Sequence, residues 1–94
     1  MFKTREFEWG PEKSRKNREK HGISFFEARE LCRGRVVEKE VRAGNDGSRY
    51  AVYGMIGGRH WTAIVTYRGG VTRIISVRRS RMKERVEYDS LTRR

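Results

Sequence analysis

The stretch RYAVYGMIGGRHWTAIVTYRGGVTRIISVR, residues 49–78, decides the fold. It holds three β-rich runs, RYAVYGMI, HWTAIVTYR and VTRIISVR, parted by Gly57-Gly58 and Gly69-Gly70. β-Branched and aromatic residues fill the runs, and each glycine pair can supply the positive φ angles of a tight hairpin. Short joints between neighbouring runs imply an antiparallel meander. Upstream, RVVEKEVR (residues 35–42) reads as a further strand, closed by the AGND turn and Gly47.

Outward from the meander, FKTREFEW sets Phe7 and Trp9 on one face and Glu6 and Glu8 on the other, as in a short first strand. Gly10-Pro11 then punctuates the chain, and PEKSRKNREKH reads as a helix with Pro11 in its first turn and Gly22 as its C-terminal cap. That helix carries no apolar residue between Pro11 and Gly22. Lys13, Asn17, Lys20 and His21 share one face by their spacing. Such a face docks through hydrogen bonds and lysine stems, or it binds something. In SFFEARELC, Ser24 and Glu27 have capping-box spacing, and Phe25, Ala28, Leu31 and Cys32 form an apolar stripe. A last helix, SRMKERVEYDSL, would begin near Ser80. The expected fold is α+β: a single antiparallel sheet of about four to five strands, packed with two N-terminal helices and one C-terminal helix. The 94 residues fit one domain, 1–94.

Charge bounds the function. The chain has 23 basic and 12 acidic residues, a net +11, which predicts attraction to a polyanion. A membrane surface fits less well, since no basic helix carries a bulky apolar face. Cys32 is the lone cysteine, which excludes an internal disulfide and fits a reducing cytoplasm. His21 and His60 are isolated, and no metal-binding spacing, Walker loop or GxGxxG motif occurs, so no metal or cofactor is expected.

The positive charge peaks in RIISVRRSRMKER, residues 73–85. Strict alternation would put Ile74, Ser76 and Arg78 on one side of the strand and Arg73, Ile75 and Val77 on the other. Arg79, Arg81, Lys83 and Arg85 then crowd the start of the last helix. Cations there oppose the helix dipole by about 0.3–1 kcal/mol each, a cost that a bound anion would offset. The plain alternative is a solvated basic surface. Tyr53 and Trp61 are expected in the core, while Arg49 lies among aromatics that could meet single-stranded RNA.

Several of these pieces resemble one family, the BrnT toxins. FEWGPEKSRKNREKHGISFFEA is similar to the family's W-D-x-x-K-x-x-x-N-x-x-K-H-G-x-S/D-F-x-x-A signature through Trp9, Lys13, Asn17, Lys20, His21, Gly22, Ser24, Phe25 and Ala28. Arg49 and Gly54 match its R-x-x-x-x-G segment. Arg73, Ser76, Arg78, Glu84, Arg85 and Tyr88 match its R-I-I-S-A-R-x-A-x-x-x-E-R-x-x-Y ending. Gly10 stands where the family has Asp, and Ser80 where it has Ala, which would supply a cap for the last helix.

The resemblance implies a RelE-like fold and a ribonuclease toxin of a bacterial type II toxin–antitoxin pair, acting on RNA, arresting growth and neutralised by a BrnA-like antitoxin. The ribosome is an open further partner. Metal-free cleavage would use the 2′-hydroxyl as nucleophile and leave a 2′,3′-cyclic phosphate. The expected catalytic residues are Arg78, Arg73, Glu84 and His21. Glu84 or His21 would be the base or acid, with Tyr88 a weaker candidate. Arg79, Arg81, Lys83, Arg85, Lys20 and Arg49 would hold RNA. The competing readings are a non-catalytic basic RNA- or DNA-binding module, which charge alone supports equally, and an interaction module for an acidic protein.

Overall fold

The computed structural model describes residues 6–44 and 47–93. The first residues of FKTREFEW and the centre of the AGND turn lie outside them. In chain order the elements are β1 (Glu6–Glu8), α1 (Pro11–His21), α2 (Phe25–Ala28) running on as a 3-10 turn (Arg29–Arg33), β2 (Val37–Gly44), β3 (Gly47–Ile56), β4 (Arg59–Arg68), β5 (Val71–Arg79) and α3 (Met82–Thr92). The architecture is α+β, with one five-stranded sheet ordered β1-β5-β4-β3-β2.

Strands β2 to β5 form the expected antiparallel meander. Its last two joints are Gly57-Gly58, with φ of 56° and 76°, and Gly69-Gly70, with φ of 49° and 85°. Positive φ at both central positions matches the twist of a two-residue hairpin, and glycine takes it without a Cβ clash. β1 departs from the antiparallel expectation. It joins β5 in parallel, Phe7 opposite Thr72, and makes the sheet mixed. The meander leaves β5 with an open outer edge, and parallel pairing needs only a long connection, which the intervening chain supplies.

One face of the sheet is sealed by α1 and α2. Val52, Ala63, Val65, Ile74 and Val77 meet Ile23, Phe25, Ala28 and Leu31 there, with Phe7, Trp9 and Trp61 at the margin. The capping box forms: Ser24 Oγ accepts the Glu27 N–H, and the Glu27 carboxylate accepts the Ser24 N–H. The expected second helix tightens after Ala28, which seats Leu31 against Gly54. A Cβ on Gly54 would lie 2.9 Å from Leu31 Cγ.

The polar helix α1 docks by hydrogen bonds. β1 covers β5 only from Val71 to Arg73. Farther along the same strand, the Asn17 carboxamide meets the backbone of Val77. Its Nδ2 donates to the Val77 carbonyl at 2.9 Å, and its Oδ1 accepts the Val77 N–H at 3.2 Å. One side-chain amide thus stands in for a neighbouring strand and satisfies buried backbone groups. Asn17 Nδ2 also donates to the Ile23 carbonyl, and Ser14 Oγ accepts the Phe25 N–H.

The opposite face is only half covered. α3 packs on β2 and β3, where Tyr88 joins Ala51 and Tyr53. Tyr88 Oη donates to the Arg35 carbonyl at 2.9 Å, so this tyrosine anchors the helix. Tyr53 is buried, and Trp61 packs at the core margin, as expected.

The alternation expected for RIISVR is corrected by a β-bulge. Ile64 pairs with Ser76, but Val65 pairs with Ile74, leaving Ile75 as an extra residue. An extra residue in one strand resets which side chains share a face. Ile74 and Val77 therefore both enter the core, while Arg73, Ser76 and Arg78 fall together on the half-covered face, opposite Thr66, Ile64 and Thr62.

Candidate active site

Two of the candidates, Arg78 and Glu84, meet where β5 hands over to α3. The last helix does not begin on Ser80. Arg81 takes the N-cap position and Met82 the first helical one. The Ser80 hydroxyl instead lies 2.7 Å from Thr62 Oγ1 on β4, and Thr62 is fully buried. Thr62 in turn donates to Glu84 Oε1 at 3.0 Å.

Glu84 is the hub. Arg78 grips it with two parallel hydrogen bonds, Nη1 to Oε1 and Nη2 to Oε2, both 2.8 Å. The Arg81 backbone N–H adds a third donor to Oε1 at 2.8 Å. The guanidinium it meets is thus that of Arg78 on the strand, not those of Arg81 or Arg85, which lie closer in sequence. The side chains are only 23% (Arg78) and 14% (Glu84) exposed, so the pair is largely withdrawn from water. The hydrogen bonds from Arg78 hold the Glu84 carboxyl at about 2, well below the usual carboxylate range, with the Arg81 N–H and Thr62 adding to the effect against burial. Glu84 reciprocates by holding Arg78 still more firmly protonated.

This geometry has a chemical consequence. A carboxylate at about 2, with both oxygens engaged, is a weak proton acceptor near neutrality. It is, however, a firm brace. A guanidinium has five N–H donors. Glu84 takes one from each Nη, and the Arg79 carbonyl takes another from Nη1 at 3.3 Å. Nε and the second Nη2 proton, which point along one edge of the plane, have no acceptor among the described residues. Two parallel donors on a braced edge match two oxygens of a phosphate.

The other candidates are dispersed around this corner. Arg73 shares the face of Arg78 farther down β5, with Glu8 at 3.5 Å. Arg49 lies on β3, next to the strand that carries Thr66. Arg79 turns to the other side, its guanidinium carbon 5.6 Å from the centre of the Trp61 ring. Arg81 and Lys83 are exposed on the first turn of α3, and Arg85 leans on Met82 Sδ at 3.5 Å. Lys20 is exposed and His21 half-buried on the last turn of α1. No described hydrogen bond or ion pair joins either to Arg78 or Glu84. His60 bonds to Asp89 at 2.8 Å and packs edge-on against Tyr88, so it tethers α3. Burial pushes the Cys32 thiol up to about 12, far from a reactive thiolate.

Sequence reasoning missed Thr62 and Glu8. Thr62 sits in HWTAIVTYR like any strand residue. Only the register places it beneath Arg78.

A family model described as the ribonuclease toxin BrnT of type II toxin–antitoxin systems matches residues 9–84. The chain belongs to the BrnT family. It is thereby a type II ribonuclease toxin, with RNA as its substrate and an antitoxin as its partner. No curated protein matches the chain. The BrnT match ends on Glu84, the brace of Arg78. Among the described residues no three His, Cys, Asp or Glu side chains are grouped to hold a metal ion, and no helix is long and apolar enough to cross a membrane.

Proposed function

We propose that this BrnT toxin is a metal-independent endoribonuclease whose Arg78 holds the scissile phosphate. The observation that carries the reading is the half-used guanidinium of Arg78, two donors committed to Glu84 and a parallel edge left open. The 2′-hydroxyl oxygen attacks the adjacent phosphorus, and its proton passes to a base. The P–O5′ bond breaks, and the 5′-oxygen takes up a proton. The products are a 2′,3′-cyclic phosphate and a 5′-hydroxyl. Charge collects on the phosphate oxygens in the transition state, where a pre-aligned guanidinium is most effective.

Glu84 acts as a positioning residue for Arg78, since its pKa of about 2 suits bracing better than proton transfer. His21 is the better candidate for proton transfer. It lies one helical turn beyond Asn17, whose amide is bonded to Val77, the residue before Arg78. Arg79, Arg81, Lys83, Arg85, Lys20 and Arg49 supply the surrounding positive field that draws RNA in. The protein works in the cytoplasm and is neutralised by a BrnA-like antitoxin. The test is cleavage of 5′-labelled RNA by antitoxin-free protein in excess EDTA. Fragments ending in a cyclic phosphate are expected. Intact RNA that is nevertheless retarded on a native gel would overturn catalysis in favour of a binding module or of cleavage confined to the ribosome.

A further inference from the structure

Ser76 has no part in the core or in the network around Glu84. It is half-buried on the face that α3 covers mainly over β2 and β3, reaching β4 and β5 only at their Thr62–Arg78 end, and its hydroxyl makes no hydrogen bond to any described residue. The bulge at Ile75 sets it in line between Arg73 and Arg78. Those two arginines sit five residues apart on β5, roughly 15 Å at the usual strand rise. A stacked strand advances only about 3.4 Å per nucleotide. Each arginine is also drawn to its own acid, Arg78 towards Glu84 on α3 and Arg73 towards Glu8 on β1. They are therefore aimed at different phosphates.

We infer that Arg78, Ser76 and Arg73 form a linear track for one RNA strand along β5, with the Ser76 hydroxyl as its middle contact and Arg73 holding a phosphate beyond the scissile one. This rests on the reading of Arg78 as the scissile-phosphate group and extends it to substrate class. The track takes a single strand, because α3 stands over the neighbouring β2–β3 half of the face. The Arg73–Glu8 pair is long and partly open to solvent, so turning Arg73 towards a phosphate sacrifices little.

The test uses binding, which does not depend on cleavage. Labelled 2′-O-methyl oligonucleotides of one, two, four and six residues are titrated against wild type, Arg73→Ala, Ser76→Ala and Ser76→Thr, each confirmed as folded by its melting curve. Wild-type affinity should climb with length. Arg73→Ala should lose about tenfold for the four- and six-residue probes and nothing for the mononucleotide, and its salt slope should fall by about one. Ser76→Ala should lose about threefold on the longer probes, and Ser76→Thr should recover it. A hairpin duplex of the same strand length should compete no better than the mononucleotide. Equal loss at every length would overturn the track in favour of one shared phosphate. No loss at any length would remove Arg73 from the path. Failure of EDTA-resistant cleavage with the length dependence intact would sink the catalytic reading and leave the track standing.

Discussion

The two faces of this sheet are closed by opposite chemistry. On the α1–α2 side, Val52, Val77, Phe25 and Leu31 interlock with almost no exposure, and each buried aliphatic or aromatic side chain contributes about 1.5–3 kcal/mol. On the α3 side, the closure is made by Arg78, Glu84, Thr62, His60 and Asp89, and the outer surface of the helix leaves Met82 and Val86 in water. A largely buried ion pair returns little net stability, because desolvation cancels most of the attraction. The apolar face therefore holds the fold together, and the polar face holds a geometry. A catalytic group needs that second property, since a displacement of about 1 Å can cost roughly a hundredfold in rate.

The comparison can be tested from its strongest contrast downwards. Arg78→Lys keeps the charge but loses the fork, so RNA cleavage should fall by about 10²–10³ while the melting temperature stays near that of wild type. A parallel loss of folding would show that the polar face is structural after all. Asn17→Ala should act the other way. It leaves the Val77 N–H and the Val77 and Ile23 carbonyls without a partner, which should cost about 2–4 kcal/mol in denaturant unfolding. Gly54→Ala should cost about 1–3 kcal/mol by crowding Leu31, with the specific activity of the folded fraction unchanged.

Glu84 offers a pH test of smaller size. Its folded pKa of about 2 lies below its ordinary value of 4.5, so the stability it contributes is present above about pH 4.5 and is lost as pH falls towards about 2. Solvent screening should reduce this to on the order of 2 kcal/mol. Glu84→Gln should flatten that limb of the stability–pH curve; an unchanged acid limb would place the titrating group elsewhere. Asp89→Asn should give the least effect. Its carboxylate is 56% exposed, and a pair at the surface contributes at most about 1 kcal/mol. A melting shift comparable to that of Asn17→Ala would mean that α3 hangs on His60.

Much of this organisation was legible in local chemistry. The helix from Pro11 to His21, the Ser24–Glu27 box and the paired-glycine turns each depend on residues within a few positions of one another. Their physics does not wait for the rest of the chain. The candidate site was legible as a list of charges and as a family resemblance, but not as an arrangement. Asn17 shared a face with Lys13, Lys20 and His21 that could either dock by hydrogen bonds or bind something; Asn17 docks, buried and bonded to the edge of β5, while both lysines remain exposed.

By itself, then, the sequence determined the meander, the Gly22 and Ser24 caps, the basic charge and the family, because propensity, turn geometry and composition are properties of short segments. Tertiary structure alone decided three matters. β1 entered the sheet in parallel because the meander left an edge to fill. Ile75 bulged, and that single extra residue moved Arg73 onto the face of Arg78. Glu84 pairs with Arg78 rather than with Lys83 or Arg85 beside it on α3, because adjacent residues on a helix point apart, whereas the strand brings the Arg78 fork onto the carboxylate. Pairings of that kind depend on register and burial across distant segments, and no local pattern in the chain encodes them.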